Sequence, residues 1–256
     1  MEMANTFNDI DKEKQKQILK LVTNSFYREL IKYGIDKSDL INISVNLLDY
    51  VTKKETVDNE NSLYNNIFKL QDVRDEWQTK KEIGFNGISI TPLIPEHIAI
   101  VSSWLDSDEV KDTFITLFPH EQKSLEEYLL RKQDRQYFSI MDNNEVVGII
   151  GADRINPAAK SVEMKKLIGA RDSQGKGIGK KATFIFLYYV FHILDYNKVY
   201  IHSVDTNIKN INLNAKFGFE LEGILYQEVY LNNKFRDVLR MGLLKQTWGL
   251  IFKSKL

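Results

Sequence analysis

The stretch "RDSQGKGIGKKATFIFLYYVF", residues 171–191, crowds Gly175, Gly177 and Gly179 into five positions and then runs into apolar sequence. A strand, a glycine-rich turn and a helix in that order leave several N–H donors unpaired at the positive end of the helix. Without Cβ atoms the backbone can also approach phosphate oxygens closely. The spacing is Gly-x-Gly-x-Gly, not the Gly-x-Gly-x-x-Gly of dinucleotide folds. Lys180-Lys181 stands where a Walker loop needs Gly-Lys-Ser/Thr. A cluster of helix-capping glycines is the competing reading.

Working outward from the turn, strand-like and helix-like periods alternate. "GISITP" reads as a strand stopped by Pro92 and Pro95, with a helix through Trp104 after it. A helix over His120 to Lys132 is expected next. "QYFSIM" and "EVVGIIGADRI" form a hairpin about Asp142-Asn143-Asn144, and "SVEMKKLIGA" is the strand that enters the glycine turn. Beyond the apolar helix come "KVYIHSV", a helix over Asn207 to Lys216, and a closing pair, "ILYQEVYL" and "KFRDVLRMGLL". This order predicts an α+β domain with a mixed, largely antiparallel sheet.

Before residue 84 apolar residues recur at helical spacing: Ile18, Val22, Phe26 and Leu30; Leu40, Leu47 and Val51; Leu63, Ile67, Leu70 and Trp77. Gly34 closes the first of these helices and Asp36 stands where the next needs an N-cap. The sequence therefore predicts a small all-α domain over 1–83 and the α+β domain over 84–256. Ser38-Asp39-Leu40 reverses the Asp-Ser-Leu order of acyl carrier proteins, so helix capping is the preferred reading there.

Composition narrows the function classes. Lys plus Arg equals Asp plus Glu at 35 each, without the basic footprint that nucleic-acid binding leaves. The 256-residue chain has no cysteine, which excludes a thiolate metal site and a cysteine nucleophile, and its scattered histidines lack HExxH spacing; no metal is expected. The N-terminus lacks the basic start and apolar stretch of a signal peptide, and Ala182 to Leu194 is too short to span a bilayer. A cytoplasmic protein with no membrane partner is the expectation.

"QGKGIG" matches the Gln/Arg-x-x-Gly-x-Gly/Ala signature of the GNAT superfamily of N-acetyltransferases. "VDTNIKNINLNAKFGFELEG" is similar to that family's next block, with Asn207 and Gly218-Phe219 at the usual separation. The closing segment from Glu222 to Trp248 resembles the subgroup that acetylates ribosomal-protein N-termini and bacterial amino sugars. The resemblance covers about residues 88 to 248. It implies a GNAT fold and an acetyl-CoA-dependent transfer to an amine, with acetyl-CoA as cosubstrate. It places the pyrophosphate on Gln174, Gly175, Lys176, Gly177, Ile178 and Gly179, with Lys180 beside them. It assigns pantetheine to the freed backbone of Ile168, Gly169 and Ala170, and gives Asn207 contact with the pantetheine arm or the support of the following loop. The acceptor it implies is a small amine, with a nucleotide-linked amino sugar ahead, or else a peptide N-terminus. A non-catalytic CoA-binding module is the alternative from another class, and a homodimer is an expectation.

Such a transfer needs a proton acceptor for the amine and a donor for the departing thiolate. Glu163 matches an acidic residue common early in the family's strand; pairing with Lys165 is its bland reading. The family's acid positions, seven and three residues after the asparagine, hold Asn214 and Asn210, which cannot supply an acidic proton. Tyr226 and Tyr230 are the substitute hydroxyls, against the commoner fate of a phenol packed and hydrogen-bonded. His202 can act as a base or serve the strand structurally, and Arg236 with Asp237 can touch the acceptor or pair on the strand surface. Phe217 and Phe219 read as core.

Overall fold

A computed structural model describes residues 2–36, 39–41, 43, 70–107, 110, 118–119, 121–204, 207–231 and 233–252. The chain divides into two compact units, Met1–Thr56 and Val57–Leu256. In the first, helix α1 (Glu2–Lys32) ends at Gly34, and Asp36 caps the next turn, its Oδ1 accepting from the Asp39 amide at 2.9 Å. Ile18, Val22 and Phe26 stand exposed on α1. Leu47, Val51, Leu63 and Ile67, and the carrier-like Ser38, lie outside the described residues.

The second unit is built on one sheet, with eight strands among the described residues, in the order β1-β2-β3-β4-β5-β6-β8-β7. These are β1 (Ile83–Phe85), β2 (Ile88–Pro92), β3 (Gln136–Asp142), β4 (Glu145–Asn156), β5 (Ser161–Ile168), β6 (Lys198–Val204), β7 (Glu220–Leu231) and β8 (Lys234–Leu244). Every neighbouring pair is antiparallel except β5 and β6. The mixed, largely antiparallel α+β architecture expected from the sequence is the one observed.

Helices cover both faces. On one lies α5 (Ile178–Tyr188), continued by a wider turn over Tyr189–Ile193. With it are α2 (Leu70–Lys80) and α7 (Lys245–Ile251). Phe138, Ile150, Val162, Phe184, Phe186, Val199 and Trp248 form the core there. On the other face α3 (Ile98–Leu105) and α4 (Gln122–Glu126) pack Ile98, Val101 and Leu125 against Tyr137, Ile149 and Leu167. Helix α6 (Ile208–Ala215) follows β6. Phe217 and Phe219 are buried in the core, as read from the sequence.

Two elements depart from expectation. Strand β1 pairs with β2 through an Asn86-Gly87 turn with φ of 52° and 80°, the signature of a tight hairpin. Helix α2 carries Trp77, whose ring lies 4.8 Å from Tyr189 and 5.9 Å from Phe138. The sequence pattern groups that helix with the N-terminal ones; in the structure it packs on the sheet.

Candidate active site

Strands β5 and β6 pair only from Ser161↔Lys198 to Glu163↔Tyr200. Beyond that point β5 stays with β4 to Gly148↔Ile168, while β6 stays with β8 to Val204↔Val238. The two strands therefore part, and a cleft of about 170 Å³ opens between them, lined by Met164 to Ile168, Ile201 to Ser203, and Asn207, Asn210 and Asn214. It suits a linear arm rather than a bulky ligand, being smaller than a drug-sized pocket.

The ladder phase decides which backbone groups face the cleft. The Gly169 amide donates to Val147 O at 3.0 Å. By the two-residue alternation of an antiparallel pair, Glu163, Lys165 and Leu167 turn their amides to β4 as well. Lys166 and Ile168 are left to turn theirs toward the open side. Ala170 also donates to Val147 O, at 3.1 Å. Of Ile168, Gly169 and Ala170, only Ile168 thus has its amide left to the cleft, the other two amides being bonded to Val147 O. Gly169 is required for a different reason: a Cβ there would sit 1.9 Å from Cδ2 of Trp104 on α3.

At the end of β5 a short turn over Arg171–Ser173 leads into the glycines. Gly175 and Gly177 both hold φ of 78°, a left-handed conformation, with nothing within 4 Å of where a Cβ would stand. Gly177 is the N-cap of α5. Among the described residues no carbonyl accepts from the amides of Gly175, Lys176, Gly177, Ile178 or Gly179. Gln174 is different. Its amide donates to Arg171 O at 3.1 Å and its Nε2 donates to Ile168 O at 3.1 Å, so it ties the turn to the strand. The Lys180 amide is likewise bonded, to Gly177 O at 3.0 Å.

Charge at this turn runs against helix electrostatics. Cations destabilise the positive end of a helix, yet Lys176, Lys180 and Lys181 cluster there with no acidic residue in the first turn. Lys166 adds a fourth from below, its Nζ donating to Thr183 Oγ1 at 2.7 Å. Burial pushes its ammonium down to about 8. Lys181 Nζ, however, donates to Asn86 O at 3.0 Å. Five open amides, two positions without Cβ crowding and the other three lysines fit a diphosphate, so the residues present suit the CoA that the resemblance implies.

On the opposite face, beside the parting point, Glu163 is buried. Its Oε1 accepts from His202 Nδ1 at 2.9 Å and from Lys165 Nζ at 2.6 Å, and Arg154 Nε lies 3.5 Å from Oε2. Burial pushes the carboxyl up, but the His202 hydrogen bond and the Lys165 ammonium outweigh it and hold it down to about 2. The expected base is thus a weak base pinned by cations, and the residue that meets the cleft is His202.

Tyr226 stands half-exposed on β7 and is absent from the cleft lining. With β8 between β7 and β6, it is two strand spacings away, roughly 10 Å. Tyr230 is exposed and packs on Phe235. Asn207 caps α6, its side chain accepting from the Asn210 amide, and also lines the cleft. Asn214 is buried, donating to Asn210 O at 2.8 Å. Asp237 accepts from the Gln227 amide at 2.8 Å and pins the irregular stretch of β7, which is a structural use.

A sheet split at one parallel pair, with an anion-binding turn at the end of the splayed strand, defines an acyl-CoA-binding domain. The acetyltransferase (GNAT) domain profile matches residues 88–220, just over half of the chain. The protein belongs to this family. It is 33% identical over 103 residues to a spermidine N(1)-acetyltransferase of Vibrio cholerae, which covers 40% of this chain and 59% of that one. To the Escherichia coli K12 spermidine N(1)-acetyltransferase it is 27% identical over 119 residues, 46% and 63% of the two chains. The chain thus spans about three fifths of these curated relatives. A crystal structure of the Vibrio cholerae spermidine N-acetyltransferase in complex with CoA and spermine matches the fold with a TM-score of 0.60 at 24% identity, over 63% of this chain and 98% of that one.

Proposed function

We propose that this protein transfers the acetyl group of acetyl-CoA to a primary amine of a small polyamine-type acceptor. The observation that carries the transferase reading is the opened β5/β6 pair ending at a turn whose five amides, Gly175 to Gly179, meet no carbonyl. In this reading the turn and its lysines hold the diphosphate, and Ile168 and Lys166 present main-chain groups to the pantetheine arm. The cleft delivers the acetyl end to the face that carries His202. A donor N–H there, near Ile168, would polarise the thioester carbonyl.

The acceptor class is carried by the relatives, which are spermidine acetyltransferases. None of the reported similarities supports the nucleotide-linked amino sugar expected from the closing hairpin. One further relative, a putative ribosomal N-acetyltransferase of Bacillus subtilis at 27% identity over 109 residues, keeps a peptide N-terminus as the second reading. Glu163 is already paired with Lys165 and His202, so it is no spare anion for a polycation.

The test is release of free thiol from acetyl-CoA with spermidine, spermine and short peptides offered in parallel. Turnover with the polyamines is the expected result; turnover with peptides alone moves the acceptor to a protein N-terminus. If CoA raises the melting temperature while no amine releases thiol, the domain binds CoA without catalysing transfer. We propose a homodimer as the assembly, to be read by sedimentation; a related fold is known as a dodecameric spermidine N-acetyltransferase. No described helix is long and apolar enough to cross a membrane.

A further inference from the structure

We infer that His202, held by Glu163, moves the proton in this transfer, an inference that rests on the acetyltransferase reading. Glu163 lies on β5 at the last paired rung, opposite Tyr200, and His202 lies two residues further along β6, where the strands have begun to part. An ionised carboxylate can only accept hydrogen bonds. The 2.9 Å contact to Glu163 Oε1 therefore makes Nδ1 the donor, so that whenever the ring carries a single proton Nε2 is the bare nitrogen. The ring lines the cleft, and among the described residues Nε2 has no hydrogen-bond partner.

This arrangement answers a gap in the chain. Where the family carries a tyrosine or serine, Asn214 and Asn210 are bonded to each other through the Asn214 amide, and neither can release a proton at neutral pH. One imidazole can serve both halves of the reaction. As the acceptor nitrogen bonds to the acetyl carbon it sheds one proton, and the C–S bond breaks with its electron pair left on sulfur. His202 Nε2 takes that proton and returns it to the thiolate, directly or through one water. The products are the amide and the free thiol, and the imidazole ends neutral as it began.

The groups around the ring are Glu163 at Nδ1, Lys165 and Arg154 behind that carboxylate, Tyr200 edge-on at 5.6 Å and Arg240 at the matching position of β8. Glu163 is a positioning residue: it fixes the tautomer and the ring plane, as the acid of a triad does.

The experiment has two readouts. On the unmutated protein, two-bond ¹H–¹⁵N spectra of the ring should show Nδ1 protonated and Nε2 bare at neutral pH. A ring with its proton on Nε2, or one charged throughout the neutral range, overturns the inference without reference to activity. In turnover, His202→Gln and His202→Asn should lower kcat by about 10²- to 10⁴-fold and alter the pH profile of kcat. Added imidazole should partly restore His202→Ala, and the melting shift given by CoA should survive in each variant. Glu163→Gln should lower kcat less and shift the pH profile. Unchanged kcat and pH profile in His202→Gln sink the proton role while leaving the acetyltransferase reading intact. Wild-type protein that binds CoA yet turns over no amine sinks that reading instead, and the spectra still decide the tautomer.

Discussion

At the residue scale the turn shows how a local signal and a local geometry can agree. Gly177 needs its left-handed φ, and a Cβ there meets open space, so folding and binding can be separated by substitution. Gly177→Asn adopts that conformation readily, whereas Gly177→Val carries a steric cost of about 1–2 kcal/mol. Both place a side chain in the cradle. CoA affinity measured by calorimetry should fall at least tenfold in each, with melting clearly lowered only in the valine variant. Parallel losses of stability and affinity in both would favour simple helix capping. Lys166 supplies a pH test. A diphosphate at the turn favours its charged form, and burial has pushed the group down to about 8. CoA affinity should therefore weaken as pH rises through that value, and Lys166→Met should bind more weakly below it and lose that dependence. A wild-type affinity flat from pH 7 to 9 removes Lys166 from the anion site. The open amides were legible because they belong to consecutive residues. The bonded amides of Gly169 and Ala170 were not, since the direction of an N–H depends on the ladder phase with β4. The Glu163–His202 contact needed the β5/β6 register, which no single strand carries.

At the element scale the proposed CoA site rests on the split between β5 and β6, which opens after Glu163, and Trp104 of α3 packs at its far end, against Gly169. The indole lies so close to Gly169 that any Cβ overlaps the ring, leaving the strand end or the helix to move. Gly169→Ala should destabilise by about 1–3 kcal/mol, the usual range for overpacking, and weaken CoA through the displaced turn. Trp104→Leu in the same chain should recover part of both losses, a coupling of about 0.5–3 kcal/mol in a double-mutant cycle. Additive effects would mean that the ring and the strand end are independent. Most strands were legible from period and turn residues: β6 and β8 run over the predicted segments, and Asn143 and Asn144 make the expected turn with φ of 49° and 66°. Strand β1 was missed although Asn86-Gly87 is the strongest short hairpin signal. A three-residue strand beside an assumed domain boundary offered too little alternation to register. Helix α7, with Trp248 buried in the core, had no counterpart in the sequence reading, since its seven residues after the last strand are too few to show a helical period.

At the scale of the whole molecule the placement of α2 decides where the unit that carries the GNAT domain starts. Val73 and Trp77 are one turn apart, a stripe that looks the same whether it packs on helices or on a sheet. The structure buries Val73 and sets Trp77 against Tyr189 and Phe138, and the compact unit begins at Val57 rather than at residue 84. A chain beginning at residue 57 should therefore keep its CoA-induced melting shift and unfold within a few degrees of the full-length protein. A chain beginning at residue 84 loses Trp77, Val73 and buried Ile83 together. Trp77 is partly buried, so its loss alone costs less than truncating a fully buried tryptophan, about 3–5 kcal/mol. With buried Val73 and Ile83 lost as well, the sum is a large part of the about 5–15 kcal/mol that typically holds a domain together. That shorter chain should aggregate or melt far lower, with CoA binding lost alongside. Equal stability of the two would show that α2 rests on the sheet without supporting it, and would return the boundary to residue 83. A residue 57 chain that fails to bind CoA would instead make the first unit part of the site.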